Sequence, residues 1–170
     1  MAKAKTLDLV HFFTGETIYF VDFNGHATLG DRQVHAEVAA QMNERTPVTF
    51  VDYDANPLRV MQRMAGFRVA LCMRLHAAVM AFMGHTPVIS LNYHSKSAGW
   101  CEQIGMAQAY QLDTRSLCAN TLTDLLCQGF ADGFIAPQMN PEDAAELSMN
   151  NWRTGYASKH AKHIGHYSFV

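Results

Sequence analysis

An arginine and a histidine two residues apart, set between an apolar run and a helix of small residues, are the strongest chemical signal in this chain. The segment reads Val69-Ala-Leu-Cys-Met-Arg74-Leu-His76-Ala-Ala-Val-Met-Ala. Arginine carries a planar fork of donors that matches phosphate or carboxylate. Histidine gives or takes a proton near neutral pH. At a strand-to-helix junction the first backbone N–H groups of the helix also point towards an anion. The same types suit a plainer arrangement, with Arg74 paired to a neighbouring carboxylate and His76 a satisfied, partly buried ring.

A second polar cluster is Tyr93-His94-Ser95-Lys96, which follows the apolar run from Pro87 to Leu91. Ser95 is suited to cap a helix. A lysine this near a helix start opposes the local dipole unless an anion lies close by, although most lysines are simply solvated. A third cluster runs from Asn24 to Arg32 and ends in Asp31-Arg32. Asp31 is also the carboxylate that a helix N-terminus favours. The glycines there do not form G-x-G-x-x-G, and the chain has neither a G-x-x-x-x-G-K-[ST] loop nor a G-x-S-x-G elbow. His160, His163 and His166 are spaced for one side of a helix and so for a metal. They lie among lysines at the chain end without a carboxylate, which favours a basic tail, and no metal or cofactor is expected.

These clusters need a scaffold that gathers them. Strands are expected at Ile18–Phe23, Pro47–Val51, Arg68–Cys72, Pro87–Leu91 and, short, Ala109–Leu112. Helices are expected from Ala4 to Phe13, after Asp31 with Val34, Val38 and Met42 inward, and after Pro57 with Leu58, Met61 and Met64-Ala65 inward. Further helices are expected at Leu75–Met83, Ser95–Ile104 and Leu117–Cys127, and from Pro141 towards His160. Nearly apolar strands separated by helices imply a parallel sheet covered on both faces, a three-layer αβα Rossmann-like fold. Ligands in such folds sit beyond the carboxyl ends of the strands. Asn24 to Arg32, Asp52 to Asn56, Met73 to His76 and Asn92 to Lys96 all occupy that position.

The 170 residues suffice for one domain, with a core over about 14–130 and a helical tail over 141–170. Lys plus Arg number 13 and Asp plus Glu 15, for a formal net charge of -2. That gives no reason to expect nucleic acid or an anionic membrane as a partner. No apolar run reaches the roughly 20 residues of a membrane span. Four cysteines without C-x-x-C fit buried thiols in a reducing compartment, and the start lacks a signal-type apolar core, so a cytoplasmic location is expected. The ten methionines are expected mostly in the core.

The stretch Cys72 to Lys96 resembles a known family. A strand, Arg-Leu-His-Ala, an apolar helix and Gly-x-Thr-Pro-Val-Ile-x-Leu-x-Tyr-x-x-Lys follow one another as in the C-terminal half of polysaccharide pyruvyl transferases. Asp31-Arg32 and Gly99-Trp-Cys-Glu-Gln-Ile-Gly105 are also similar, and the resemblance covers about Ile18 to Leu126. It implies one half of a GT-B-type glycosyltransferase fold. It also implies transfer of a pyruvyl group from phosphoenolpyruvate to sugar hydroxyls of an exopolysaccharide or its precursor, giving a pyruvate ketal.

The resemblance implies that Arg74 grips donor phosphate or carboxylate, that His76 is the acid/base and that Lys96 helps hold the donor. Tyr93, His94, Asn24, Asp31 and Arg32 are expected to line the binding site. Family members commonly have a further N-terminal half, so a missing half or a homo-oligomer is expected to complete the cleft. The competing expectations are a sugar-nucleotide-dependent glycosyltransferase or epimerase-like domain, and a non-catalytic domain that binds phosphate ligands.

Overall fold

Short runs rich in Val, Ile and Phe, punctuated by Gly, Pro and Asp, form the strands of the computed structural model, which describes residues 2–93, 95–131 and 133–164. These are β1 (Ile18–Val21), β2 (Val48–Val51), β3 (Ala70–Cys72), β4 (Val88–Asn92) and β5 (Gln111–Asp113). The helices are α1 (Ala2–Thr14), α2 (Asp31–Ala39), α3 (Pro57–Met64), α4 (Leu75–Met83), α5 (Ser95–Gln103), α6 (Ala119–Phe130) and α7 (Pro141–Ile164). Pro57 and Pro141 each open a helix, where the missing N–H costs nothing. Asn56 caps α3 by accepting from the Leu58 and Arg59 N–H groups.

Every strand pair is parallel, as the alternation of strands and helices predicts. The hydrogen bonding is divided, however. Among the described residues, β1 pairs with β2 and β3-β4-β5 form a separate ladder, where one continuous sheet was expected. The two sheets are joined by side chains. The Tyr19 and Phe67 rings lie 5.1 Å apart, and Glu16 reaches Arg68 at 3.7 Å.

The core belongs to the three-stranded sheet. β4 is its central strand, with Val88, Ile89, Ser90 and Leu91 all buried. The small residues Ala77, Ala78 and Ala81 bring α4 close to it, and Leu122, Leu125 and Leu126 of α6 fill the space. Full burial of each such leucine contributes about 1.5–3 kcal/mol. At the α3–α4 contact, a Cβ on Gly84 would lie 3.1 Å from backbone atoms of Met61 and Ala65. Beside it, the buried Thr86 hydroxyl donates to the Met64 carbonyl at 2.6 Å.

The two-stranded sheet departs from the expected packing. Val34 is 54% exposed and Leu58 63%, and α2 buries none of its residues. Of the residues expected inward here, Val34 is exposed, whereas Val38 is half-buried and Met42, just past the helix, is buried. His35 is turned to β1, its ring 5.1 Å from that of Phe20. Tyr19 and Phe50 are likewise exposed, so β1 and β2 are not covered on both faces. α1 connects the two parts. It packs on α6, while its Asp8 carboxylate accepts from the Asn43 N–H at 3.0 Å and the Thr46 hydroxyl at 2.7 Å, ahead of β2.

Candidate active site

Arg74 ends the loop after β3 and occupies the N-cap of α4, where no side chain caps the helix. The first N–H groups of α4 are thus left without a capping side chain beside a guanidinium. Asp31, the first residue of α2, holds that guanidinium in a fork. Arg74 Nε donates to both carboxylate oxygens at 2.8 and 3.0 Å, and Nη2 donates to Oδ1 at 2.5 Å. The same carboxylate accepts from the Phe23 and Asn24 N–H groups at 2.8 and 2.9 Å. Burial works to raise the Asp31 carboxyl, but Arg74 and these two backbone donors outweigh it, and the group lies below the usual aspartate value. The Arg74 charge is correspondingly reinforced, first by Asp31 and to a smaller extent by the nearby Tyr93 phenol.

Asp31 and Arg74 are 43 residues apart in sequence and bring together the carboxyl ends of β1 and β3. The carboxylate partner that the plainer reading gave Arg74 is therefore present. It takes Nε and one proton of Nη2, leaving the Nη1 edge of the fork uncommitted to Asp31.

His76 is the second residue of α4 and is exposed. Tyr93 follows β4 and is 59% exposed, and Lys96 is exposed in the first turn of α5. Ser95 is the first residue of α5, one place inside its expected capping position. His94 lies outside the described residues.

Asn24 builds the loop after β1. Its amide donates to the Leu29 carbonyl at 3.0 Å, and its side-chain oxygen accepts from the His26 N–H at 3.1 Å. Gly30 is required in that loop, since a Cβ there would stand 2.3 Å from the His26 carbonyl oxygen. The loop thus sets Asp31, and Asp31 sets Arg74.

Arg32 points to a different place. Its Nε donates to the buried Asp22 at 3.0 Å, its Nη2 pairs with Asp52, and its guanidinium lies 4.9 Å from the centre of the Phe50 ring. His35 Nδ1 meets the other Asp22 oxygen at 2.7 Å. Asp22 and His35 went unnoticed in the sequence. The available signal was a carboxylate inside the apolar run Ile18–Phe23, opposite a helix carrying Arg32 and His35 one turn apart.

Among the described residues, no three His, Cys, Asp or Glu side chains are placed to hold a metal ion. His166 lies outside the described residues. Cys72 and Cys101 are buried, and burial pushes the Cys72 thiol up to about 12. Cys127 is half-buried and Cys118 exposed, the latter at the start of α6, so the expectation of buried thiols holds for Cys72 and Cys101. Met64 and Met106 are in the core, whereas Met73 and Met149 are exposed. Among the described residues no helix is long and apolar enough to cross a membrane.

A family profile described as polysaccharide pyruvyl transferase matches residues 3–95. The match starts earlier than the resemblance read from motifs, taking in α1, and ends one residue before Lys96. It includes Asn24, Asp31, Arg32, Arg74, His76 and Tyr93. No curated protein and no solved structure matches the chain. With the matched segment covering more than half of its residues and containing the Asp31–Arg74 junction, the chain belongs to the polysaccharide pyruvyl transferase family.

Proposed function

We propose that the chain acts on phosphoenolpyruvate, transferring its three-carbon unit to two hydroxyls of an exopolysaccharide or its precursor as a cyclic ketal, in the cytoplasm. The observation that carries this reading is the Arg74 guanidinium clamped by Asp31 beside the uncapped start of α4. Phosphoenolpyruvate has a phosphate and a carboxylate, so its site needs at least two cationic or N–H-rich positions. The free edge of Arg74 supplies one. The α4 N-terminus and Lys96 supply the other, with Tyr93 and His94 as neighbours. Because Asp31 shares its charge with two backbone N–H groups, Arg74 keeps part of its positive field for a ligand.

In this mechanism His76 protonates the methylene carbon, leaving an oxocarbenium-like centre at the adjacent carbon. One sugar hydroxyl adds there and gives up its proton. The C–O bond to phosphate then breaks, with Arg74 stabilising the charge on the departing group. The second hydroxyl closes the ketal, and inorganic phosphate is released. Asn24 acts indirectly by shaping the loop that places Asp31. Arg32 acts at the rim through Asp22 and Asp52. A further half or a second copy completing the acceptor side belongs to the same reading, so the decisive test measures donor binding.

Thermal-shift titration with phosphoenolpyruvate is expected to stabilise the wild type, with the shift lost in Arg74→Ala. Larger shifts with UDP-glucose or UDP-galactose than with phosphoenolpyruvate would reject the proposal in favour of a sugar-nucleotide enzyme. His76→Ala is expected to keep the shift and to lose ketal formation. Loss of both would remove the acid role from His76.

A further inference from the structure

Beyond the carboxyl end of β2, next to Arg32, lies an open groove that the donor reading leaves unused. Its lining includes Phe50, Asp52, Tyr53, Asp54, Arg59 and Arg63. Tyr53 is its fixed element. A Cβ on Gly25 would lie 2.6 Å from the Tyr53 ring, so the ring rests directly on the backbone of the loop after β1. The other part of the ring is open, and the residue is 51% exposed. In the same lining, Asp54 and Arg59 form a two-pronged pair, with Nε and Nη2 donating to the two carboxylate oxygens at 2.8 Å each. The fork is anchored because the Asp54 carboxylate also accepts from the Asn56 N–H at 2.8 Å.

The charges in the groove are mixed. Asp52 and Asp54 would repel a phosphate or a polyanion, and Arg59 and Arg63 would repel a cation. A neutral polyhydroxyl ligand meets no such penalty. It finds acceptors and donors together, with an aromatic face for its C–H surface. The groove also communicates with the donor arginine, since Asp52 pairs with Arg32, and the adjacent residue Asp31 holds Arg74.

From this we infer that the β2-end groove is a saccharide subsite that takes an uncharged pyranose, with Tyr53 as the stacking platform and the Asp54–Arg59 fork as the hydroxyl-binding edge. The inference rests on the pyruvyl-transfer reading for why a saccharide comes to this cleft. The groove geometry itself does not depend on the identity of the donor.

The test is saturation-transfer NMR with methyl β-D-glucoside, methyl β-D-galactoside and methyl β-D-mannoside on the full chain, alongside the phosphoenolpyruvate thermal shift. At least one glycoside is expected to give ring-proton signals. Removing a stacked ring with Tyr53→Ala is expected to weaken them about tenfold, and Arg63→Gln to weaken them less. Gly25→Ala, which leaves Tyr53 in place but displaces its ring, is expected to match Tyr53→Ala. Tyr53→Ala and Arg63→Gln are expected to keep the donor shift. No signal from any glycoside, or equal signals in the wild type and all variants, would overturn the subsite. Glycoside signals that respond to Tyr53 without any phosphoenolpyruvate shift would uphold the groove and sink the donor reading.

Discussion

The two sheets are built from similar-looking strands yet are held in different ways. Around β4 the packing is largely apolar, with Ile89, Leu122 and Cys101 fully enclosed. Around β1 and β2 the fastening is polar. α2 buries no residue and is attached through Asp31 to Arg74 and the β1 loop, and through Arg32 and His35 to Asp22. Apolar burial is non-directional and yields a rigid platform. Charge-assisted hydrogen bonds are directional and fix the aim of individual groups. The Asp31–Arg74 pair lies where the second kind of bonding meets the first, so a directed guanidinium is mounted on a stable base.

The largest expected effect breaks the base. Ile89→Ala should cost about 2–5 kcal/mol through lost burial and a cavity. Val34→Ala, on the exposed side of α2, should stay within about 0.5 kcal/mol. Urea denaturation of the two variants checks the contrast, and equal costs would mean that the halves do not differ as described.

An intermediate effect is expected from Asp22→Asn, which leaves Arg32 and His35 without their shared carboxylate. Its cost should be about 1–3 kcal/mol. Hydrogen exchange should show the loss concentrated in β1, β2 and α2, with β4 and α6 still protected. A uniform loss across both sheets would argue that the polar fastening is not local.

The smallest effect concerns pH. The Asp31 carboxyl lies below its ordinary value of 3.8, so its contribution is present above that value and fades as the pH falls through the lower folded value. An NMR titration should therefore find Asp31 more than half ionised at pH 3.8, where an ordinary aspartate is half protonated. Arg74→Gln should return it towards the ordinary value. A normal Asp31 titration in the wild type would remove the clamp as the device that aims Arg74.

Much of the scaffold was legible in local pattern. Pro57, Pro141 and the strand-to-helix junction at Arg74 marked elements within a residue or two of where they occur, because turn chemistry and helix starts are local. The inward face of α2 was legible only in part. Met42 is buried and Val38 half-buried as their spacing predicts, but Val34 is exposed, because the first turns of α2 are docked by the ion pairs of Asp31, Arg32 and His35. The split into two sheets was also invisible, since nothing in a strand's own residues states which edge it pairs with.

The sequence by itself determined the kind of protein: alternating apolar strands and helices gave a parallel α/β fold, and Arg74-Leu75-His76 with Tyr93 and Lys96 pointed to the family that the matched segment establishes. Only the tertiary structure decided the pairing of those groups. That Asp31 serves Arg74, that Arg32 turns instead to Asp22 and Asp52, and that Tyr53 rests on Gly25 depend on contacts between residues far apart in the chain. Such contacts depend on how the elements pack, and local spacing carries no record of that.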